Sequence, residues 1–76
     1  MVSAVVLVNT DLGAQVKVLE TLKRIEGIEE AHLLCSVYDL AVKVKANSVD
    51  KLKEIITTSI RKLGGVSNIM TLMLVE

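Results

Sequence analysis

The sequence has no proline and almost no aromatic residues. Tyrosine occurs once and phenylalanine and tryptophan are absent, yet the apolar fraction reaches 51%. The single cysteine, Cys35, excludes an internal disulfide, and one cysteine with one histidine cannot fill the usual four-ligand zinc site. A domain of 76 residues buries only about 60% of its unfolded surface, so it is marginal without a disulfide, a metal or a partner. A partner subunit is the remaining source of stability.

Neither sign of charge is in excess, since Lys plus Arg and Asp plus Glu number 9 each. Without a basic surplus to hold a phosphate backbone, we expect no direct binding to nucleic acid. The chain lacks a run of about 20 apolar residues, which predicts no membrane span. It starts in a strand-like segment without the charged leader of a signal peptide. These absences predict a cytoplasmic protein in which Cys35 is a reduced thiol buried in a strand.

Hydrophobic periodicity predicts four strands and two helices in the order β-α-β-β-α-β. The predicted strands cover residues 2–8, 28–37, 40–46 and 66–75, and the predicted helices cover residues 12–25 and 49–63. Asn9, Thr10 or Asp11 is expected to cap the first helix, and Asn47-Ser48 the second. The apolar stripes of the two helices are Leu12, Val16, Leu19, Leu22 and Ile25 in the first, and Val49, Leu52, Ile55, Ile56, Ile60 and Leu63 in the second.

The two halves repeat one βαβ pattern at an offset of about 36 residues, which predicts a single α+β domain over residues 1–76 with the ferredoxin-like fold. The predicted sheet is antiparallel with strand order 4-1-3-2. Right-handed crossovers place both helices on one face of it. The other face still carries apolar residues of the first and last strands, and the chain has nothing left to cover it. We therefore expect a homodimer that packs sheet to sheet about a two-fold axis, a dimeric α+β barrel.

No enzyme motif is present. The glycines form no phosphate-binding loop, and His32 has no obvious catalytic partner. The sequence therefore predicts no catalytic residue, no cofactor and no metal site. Two polar features stand out: the segment Ser36-Val37-Tyr38-Asp39, which sets the only aromatic residue beside an acid at a turn, and Thr71 in an otherwise apolar strand. Turn chemistry explains the first equally well, and the strand preference of threonine explains the second.

The order of these segments resembles a known family. The resemblance rests on Ile25-Glu26-Gly27-Ile28 after the first helix, Ser36-Val37-Tyr38-Asp39-Leu40 after the second strand, Gly64-Gly65-Val66 before the last strand, and Thr71 within it. Together they resemble the RAM domain, the C-terminal effector domain of the Lrp/AsnC transcription regulators. The resemblance covers essentially the whole chain. It leaves no segment for the helix-turn-helix region of a full regulator, so we expect a stand-alone module.

The resemblance implies an oligomeric, amino-acid-sensing regulatory module. RAM domains dimerise through their sheets, the dimers join into rings such as octamers, and amino acids bind between dimers. Carried over by position, the ligand site consists of Ser36, Val37, Tyr38, Asp39 and Thr71. Two departures affect this site: the family usually has glycine where Ser36 stands, and often a threonine where Ile69 stands. The module would sense amino acids itself or co-assemble with a full-length Lrp/AsnC regulator.

Three alternatives remain open from the sequence. One is a small enzyme of the dimeric α+β-barrel type, which shares this topology but usually places polar catalytic groups between sheet and helices, where this sequence has leucine, isoleucine and valine. Another is an ACT-like regulatory domain, of which Asp11-Leu12-Gly13 is a faint echo. The third is an assembly partner without a ligand.

Overall fold

The computed structural model describes residues 1–74, which form the predicted ferredoxin-like α+β fold. Its elements are β1 (Val2–Thr10), α1 (Gln15–Leu22), β2 (Ile28–Leu33), β3 (Leu40–Ala46), α2 (Val49–Glu54), a π-helix (Ile55–Ile60) and β4 (Val66–Leu74). The strands pair antiparallel in the order β2-β3-β1-β4, which is the predicted order 4-1-3-2 seen from the other edge. The prediction that the last strand reaches Val75 concerns a residue outside the described range.

The core lies between one face of the sheet and the helices. Alternate residues of the two central strands are buried there, and the helices contribute aliphatic side chains that are also buried. These core residues are Ala4, Val6 and Val8 of β1, Leu40, Val42 and Val44 of β3, and Val18, Leu22, Leu52, Ile55, Ile56 and Ile60 of the helices. Burying each large aliphatic side chain contributes about 1.5–3 kcal/mol. Both helices therefore pack on the same face of the sheet, as predicted.

The first helix is shorter than predicted. It begins after Ala14, which has no side-chain capping bond, so none of the three expected capping residues acts as the cap. The chain instead turns at Gly13, which has a φ of +82°, and the Ala14 N–H donates to the Asp11 carbonyl at 3.0 Å. This turn takes Leu12 out of the helix and leaves it fully exposed, and Val16 is exposed as well. The expected apolar stripe of the first helix was therefore wrong at its start.

The second strand ends four residues earlier than predicted. Residues 34–39 form a turn, which is closed by a bond from the Leu34 N–H to the Asp39 carbonyl at 2.8 Å. Cys35 lies in this turn and is exposed. The prediction of a buried cysteine in a strand was wrong. Leu34, Cys35 and Val37 continue the apolar character of β2, so the sequence does not show that the strand ends at Leu33.

The second helix begins as predicted and then changes its hydrogen bonding. The Ser48 hydroxyl accepts a bond from the Lys51 N–H at 3.1 Å and caps α2. After Glu54 the chain continues as a π-helix, and the Arg61 N–H donates to the Ile56 carbonyl five residues back. Val49 is 43% exposed rather than part of the buried stripe. Among the described residues, no helix is long and apolar enough to cross a membrane.

The sheet face opposite the helices, called the uncovered face here, has an apolar half and a charged half. Pairing register places its members side by side: Val5 and Leu7 of β1, Met70, Leu72 and Leu74 of β4, and Lys43 and Lys45 of β3. The three β4 residues are exposed by 41–47%. No element within residues 1–74 packs against this face, which agrees with the sequence-based expectation of an exposed apolar patch.

Candidate functional site

Asp39 attaches the turn of residues 34–39 to the end of β1. Its Oδ2 atom accepts bonds from the backbone N–H of Thr10 at 2.8 Å and from the Thr10 hydroxyl at 3.2 Å. The Asp39 N–H in turn donates to the Val8 carbonyl at 2.9 Å. Hydrogen bonds to a carboxylate are stronger than neutral ones. The carboxylate thus fixes the turn to β1 of the same chain. Turn chemistry explains this segment, as the sequence suggested, but the bonded residue is 29 positions away instead of within the turn.

Ser36 occupies the turn without backbone strain. No residue other than glycine has a positive φ in the described part of the chain, so a serine fits at this position. Its hydroxyl accepts a bond from the Tyr38 N–H at 3.3 Å. Val37 beside it is exposed, and the N–H groups of Ser36 and Val37 donate to no backbone carbonyl within residues 1–74. These two donors are open to a ligand.

Tyr38 lies across the uncovered face. Its hydroxyl is 3.7 Å from the Sδ atom of Met70 on β4. Because Met70 pairs with Leu7, the ring connects the turn to the apolar half of this face. The only aromatic side chain of the protein is therefore located where a second sheet would pack.

Thr71 lies on the other side of the sheet. It pairs with Val6, a core residue, so its side chain is on the face that carries the helices, although Thr71 itself is exposed at the β4 edge. Within one chain the structure brings together Ser36, Tyr38 and Asp39, but it separates Tyr38 from Thr71 by the sheet. A pocket that includes both would require two chains.

A charged cluster covers the β2–β3 side of the sheet. The Nζ atom of Lys45 lies 2.8 Å from one Glu29 carboxylate oxygen, and that of Lys43 lies 3.6 Å from the other. The hydrogen bond from Lys45 and the nearby charges of both lysines lower the pKa of Glu29 below its ordinary value. His32 at the sheet edge lies 3.1 Å from the Glu30 carboxylate, and both side chains are exposed.

The described residues show no preformed metal centre. No three or more His, Cys, Asp or Glu side chains among them are grouped so that they could hold a metal ion. Every buried side-chain nitrogen or oxygen in this part of the chain has a hydrogen-bond partner. The polar groups available to a ligand are therefore at the surface, in the turn and along the sheet.

The fold, the polar turn and the uncovered face define a small ferredoxin-like domain of the α+β class. Residues 3–76 match the family model of the Lrp/AsnC ligand-binding domain. The chain belongs to this family, which agrees with the resemblance seen in the sequence.

The chain is also similar to a curated protein and to solved structures. An uncharacterized HTH-type transcriptional regulator of Pyrococcus horikoshii, PH1916, is 32% identical over 59 residues, which cover 78% of this chain and 39% of the regulator. The chain thus spans less than half the length of this curated relative. The crystal structure of FFRP-DM1 has a TM-score of 0.95 and 32% identity, with 99% of this chain and 100% of that chain covered. The complex of transcriptional regulator NMB0573 from Neisseria meningitidis with L-Met has a TM-score of 0.88 over 99% of this chain and 50% of that one. At 9% identity it shows the fold alone.

Proposed function

We propose that this chain is an oligomeric regulatory module of the Lrp/AsnC type that senses an amino acid. The observation that carries this proposal is the turn of residues 34–39, which Asp39 holds in place while the N–H groups of Ser36 and Val37 stay open. Membership of the Lrp/AsnC ligand-binding family supports it. The curated relative PH1916 is named as an HTH-type transcriptional regulator, which favours a regulatory role over that of a barrel enzyme.

Assembly in this proposal begins at the uncovered face. Two chains pack their apolar halves together about a two-fold axis and remove Leu72 and its neighbours from water, at about 25 cal/mol for each Å² of apolar surface buried. The resulting dimeric α+β barrels join into rings such as octamers. Residues 1–76 act as one RAM domain in the cytoplasm, either alone or together with a full-length Lrp/AsnC regulator.

The amino acid binds between dimers. Its carboxylate accepts bonds from the open N–H groups of Ser36 and Val37, and its ammonium donates to carbonyl groups of the same turn. Asp39 holds the turn in place through its bonds to Thr10, and Tyr38 and the Thr71 hydroxyl of a neighbouring chain lie around the side chain of the amino acid. The separation of Tyr38 and Thr71 by the sheet of one chain supports a site shared between chains. The Neisseria regulator of this fold, solved with L-Met, motivates the choice of ligand class.

A thermal-shift screen of the twenty amino acids tests the proposal. A ligand at a hundredfold excess over its dissociation constant stabilises the folded state by about 2.7 kcal/mol. We expect one or a few amino acids to raise the melting temperature of the unmodified chain and to raise that of Thr71→Val by less. Valine keeps the shape of the exposed threonine and removes its hydroxyl, so the fold is retained. Ser67→Ala, an exposed serine of the same strand, is the matched control.

Two results would contradict the proposal in different ways. A flat screen with an intact oligomer favours the assembly partner without a ligand. A shift that is equal in the unmodified chain and in Thr71→Val shows that an amino acid binds, but at a site without this hydroxyl.

A further inference from the structure

A second concave surface lies at the end of the sheet opposite to the turn. An open cavity of about 470 Å³ is bounded by the start of β2, the end of β3 and the π-helix. Its volume falls within the range of small-molecule sites. β3 runs from Leu40 beside the turn to Ala46 beside the cavity, six residue steps and hence about 20 Å. One small ligand cannot reach both places.

The π-helix forms one wall of this cavity. π-Helical turns are rare and occur often at functional sites. Here the widened turn places Thr58 and Ser59, two consecutive hydroxyl-bearing residues, along the cavity wall. The neighbouring Thr57 hydroxyl is used within the helix, where it donates to the Lys53 carbonyl at 2.8 Å.

Gly27 closes the cavity on the side of β2. It has a φ of +98°, and a Cβ atom at this position would lie 2.8 Å from Ile55 Cδ1 and 3.2 Å from the Lys45 carbonyl oxygen. Its own carbonyl accepts a bond from the Lys45 N–H at 2.8 Å. Only glycine fits here, so β2, β3 and the π-helix meet closely around this residue.

The polar groups along the cavity differ in whether they have partners. Lys51 pairs with Glu54 at 3.3 Å, and Lys45 pairs with Glu29 at 2.8 Å. Within residues 1–74, the polar side chains that line the cavity and make no hydrogen bond or ion pair are those of Glu26, Asn47, Thr58 and Ser59. The unneutralised charge among them is the Glu26 carboxylate, and the others are neutral hydrogen-bonding groups.

We propose that this cavity is a second ligand site, which takes a small organic ammonium that also carries a hydroxyl or carbonyl group. The ammonium pairs with the Glu26 carboxylate, and the second group bonds to Asn47 or to the hydroxyls of Thr58 and Ser59. The ligand needs no carboxylate, because Lys45 and Lys51 are already paired with Glu29 and Glu54. The site is independent of the amino-acid site of the proposed function.

An NMR titration of the ¹⁵N-labelled full chain with ethanolamine tests this site. We expect saturable amide shifts at Gly27, Asn47 and Thr58, with a dissociation constant on the order of 1 mM. Ethylene glycol has a similar shape but no charge, and we expect it to bind at least tenfold more weakly. Glu26→Gln removes the charge and lowers the affinity for ethanolamine about tenfold. Thr58→Val, at an exposed position, lowers it by less, and Glu20→Gln on the exposed side of α1 leaves it unchanged.

Three outcomes would overturn the site. Shifts that grow linearly without saturation show no binding, an unchanged affinity in Glu26→Gln shows that the charge is not used, and shifts centred on residues 34–39 place the amine in the other site. Because ethanolamine lacks a carboxylate, a flat amino-acid screen does not affect the outcome of this titration.

Discussion

At the scale of single residues, Asp39 is the polar side chain with the largest structural role. Its carboxylate accepts two bonds from Thr10, and its backbone N–H and carbonyl bond to β1 and to the start of the turn. The sequence marks Asp39 as a possible ligand residue, but the structure gives its side chain a partner within the same chain. Its contribution to a ligand site is therefore to position the turn.

We expect Asp39→Ala to lower the free energy of unfolding by about 1–3 kcal/mol, because the Thr10 N–H and hydroxyl lose their acceptor. Asp39→Asn keeps an acceptor oxygen and is expected to cost less. Urea unfolding at a fixed chain concentration measures both changes. Asp11→Ala, an exposed acid of the neighbouring loop, is the control. An equal loss in Asp39→Ala and Asp11→Ala would show that the bonds to Thr10 contribute nothing.

At the scale of elements, the second helical segment joins two kinds of hydrogen bonding. α2 starts at a serine cap with Asp50 in its first turn, which suits the positive end of the helix dipole. The following π-helix buries Ile55, Ile56 and Ile60 against the sheet. The apolar spacing of the sequence predicts one helix over both segments. The π-helix adds one residue to the hydrogen-bonded turn but still buries Ile55, Ile56 and Ile60, so this spacing does not reveal the change.

We expect Ser48→Ala to destabilise the chain by about 1 kcal/mol, since the Lys51 N–H at the start of α2 loses its partner. Thermal unfolding at constant chain concentration measures this change. Ser67→Ala, an exposed serine in β4, serves as the control and is expected to be close to neutral. A Ser48 variant as stable as the Ser67 variant would mean that the cap is replaced by water without cost.

At the scale of the whole molecule, the uncovered face is the surface on which the proposed self-association of the chain depends. One side of the sheet has a closed aliphatic core. The other exposes Met70, Leu72 and Leu74 on β4, and β1 separates these residues from the lysines of β3. The two halves of this face differ in chemistry. In the proposed dimer, a two-fold axis through the apolar half would bury the leucines and leave the ion pairs of Glu29 hydrated at the rim.

We expect the unmodified chain to be the proposed dimer and Leu72→Lys to be a monomer, because the substitution places a charge at the centre of the apolar half. Sedimentation velocity at micromolar concentration measures the mass. Val49→Lys is the matched control: Val49 is 43% exposed and Leu72 is 47% exposed, but Val49 lies on the helix layer. If Leu72→Lys remains a dimer, or if the unmodified chain is a folded monomer, the interface proposal is wrong.

The sequence by itself determined the order of the elements, the order of the strands and the presence of two apolar sheet faces. These features follow from local side-chain periodicity and from the handedness of crossovers, which near neighbours in the chain control. The sequence also placed Tyr38 and Asp39 in the turn, but it assigned Ser36 and Val37 to the end of the second strand, which the structure ends at Leu33. The family resemblance added Thr71 to the predicted site.

Only the tertiary structure decided where β2 ends, which partner Asp39 binds and where the helix widens. Cys35 lies outside the sheet because the Leu34 N–H bonds to the Asp39 carbonyl and closes the turn. The Asp39 carboxylate accepts a bond from the Thr10 N–H, 29 residues away. The cavity beside Gly27 depends on three separate elements that meet in space. Each of these features arises from contacts between residues distant in the chain, which local periodicity does not record.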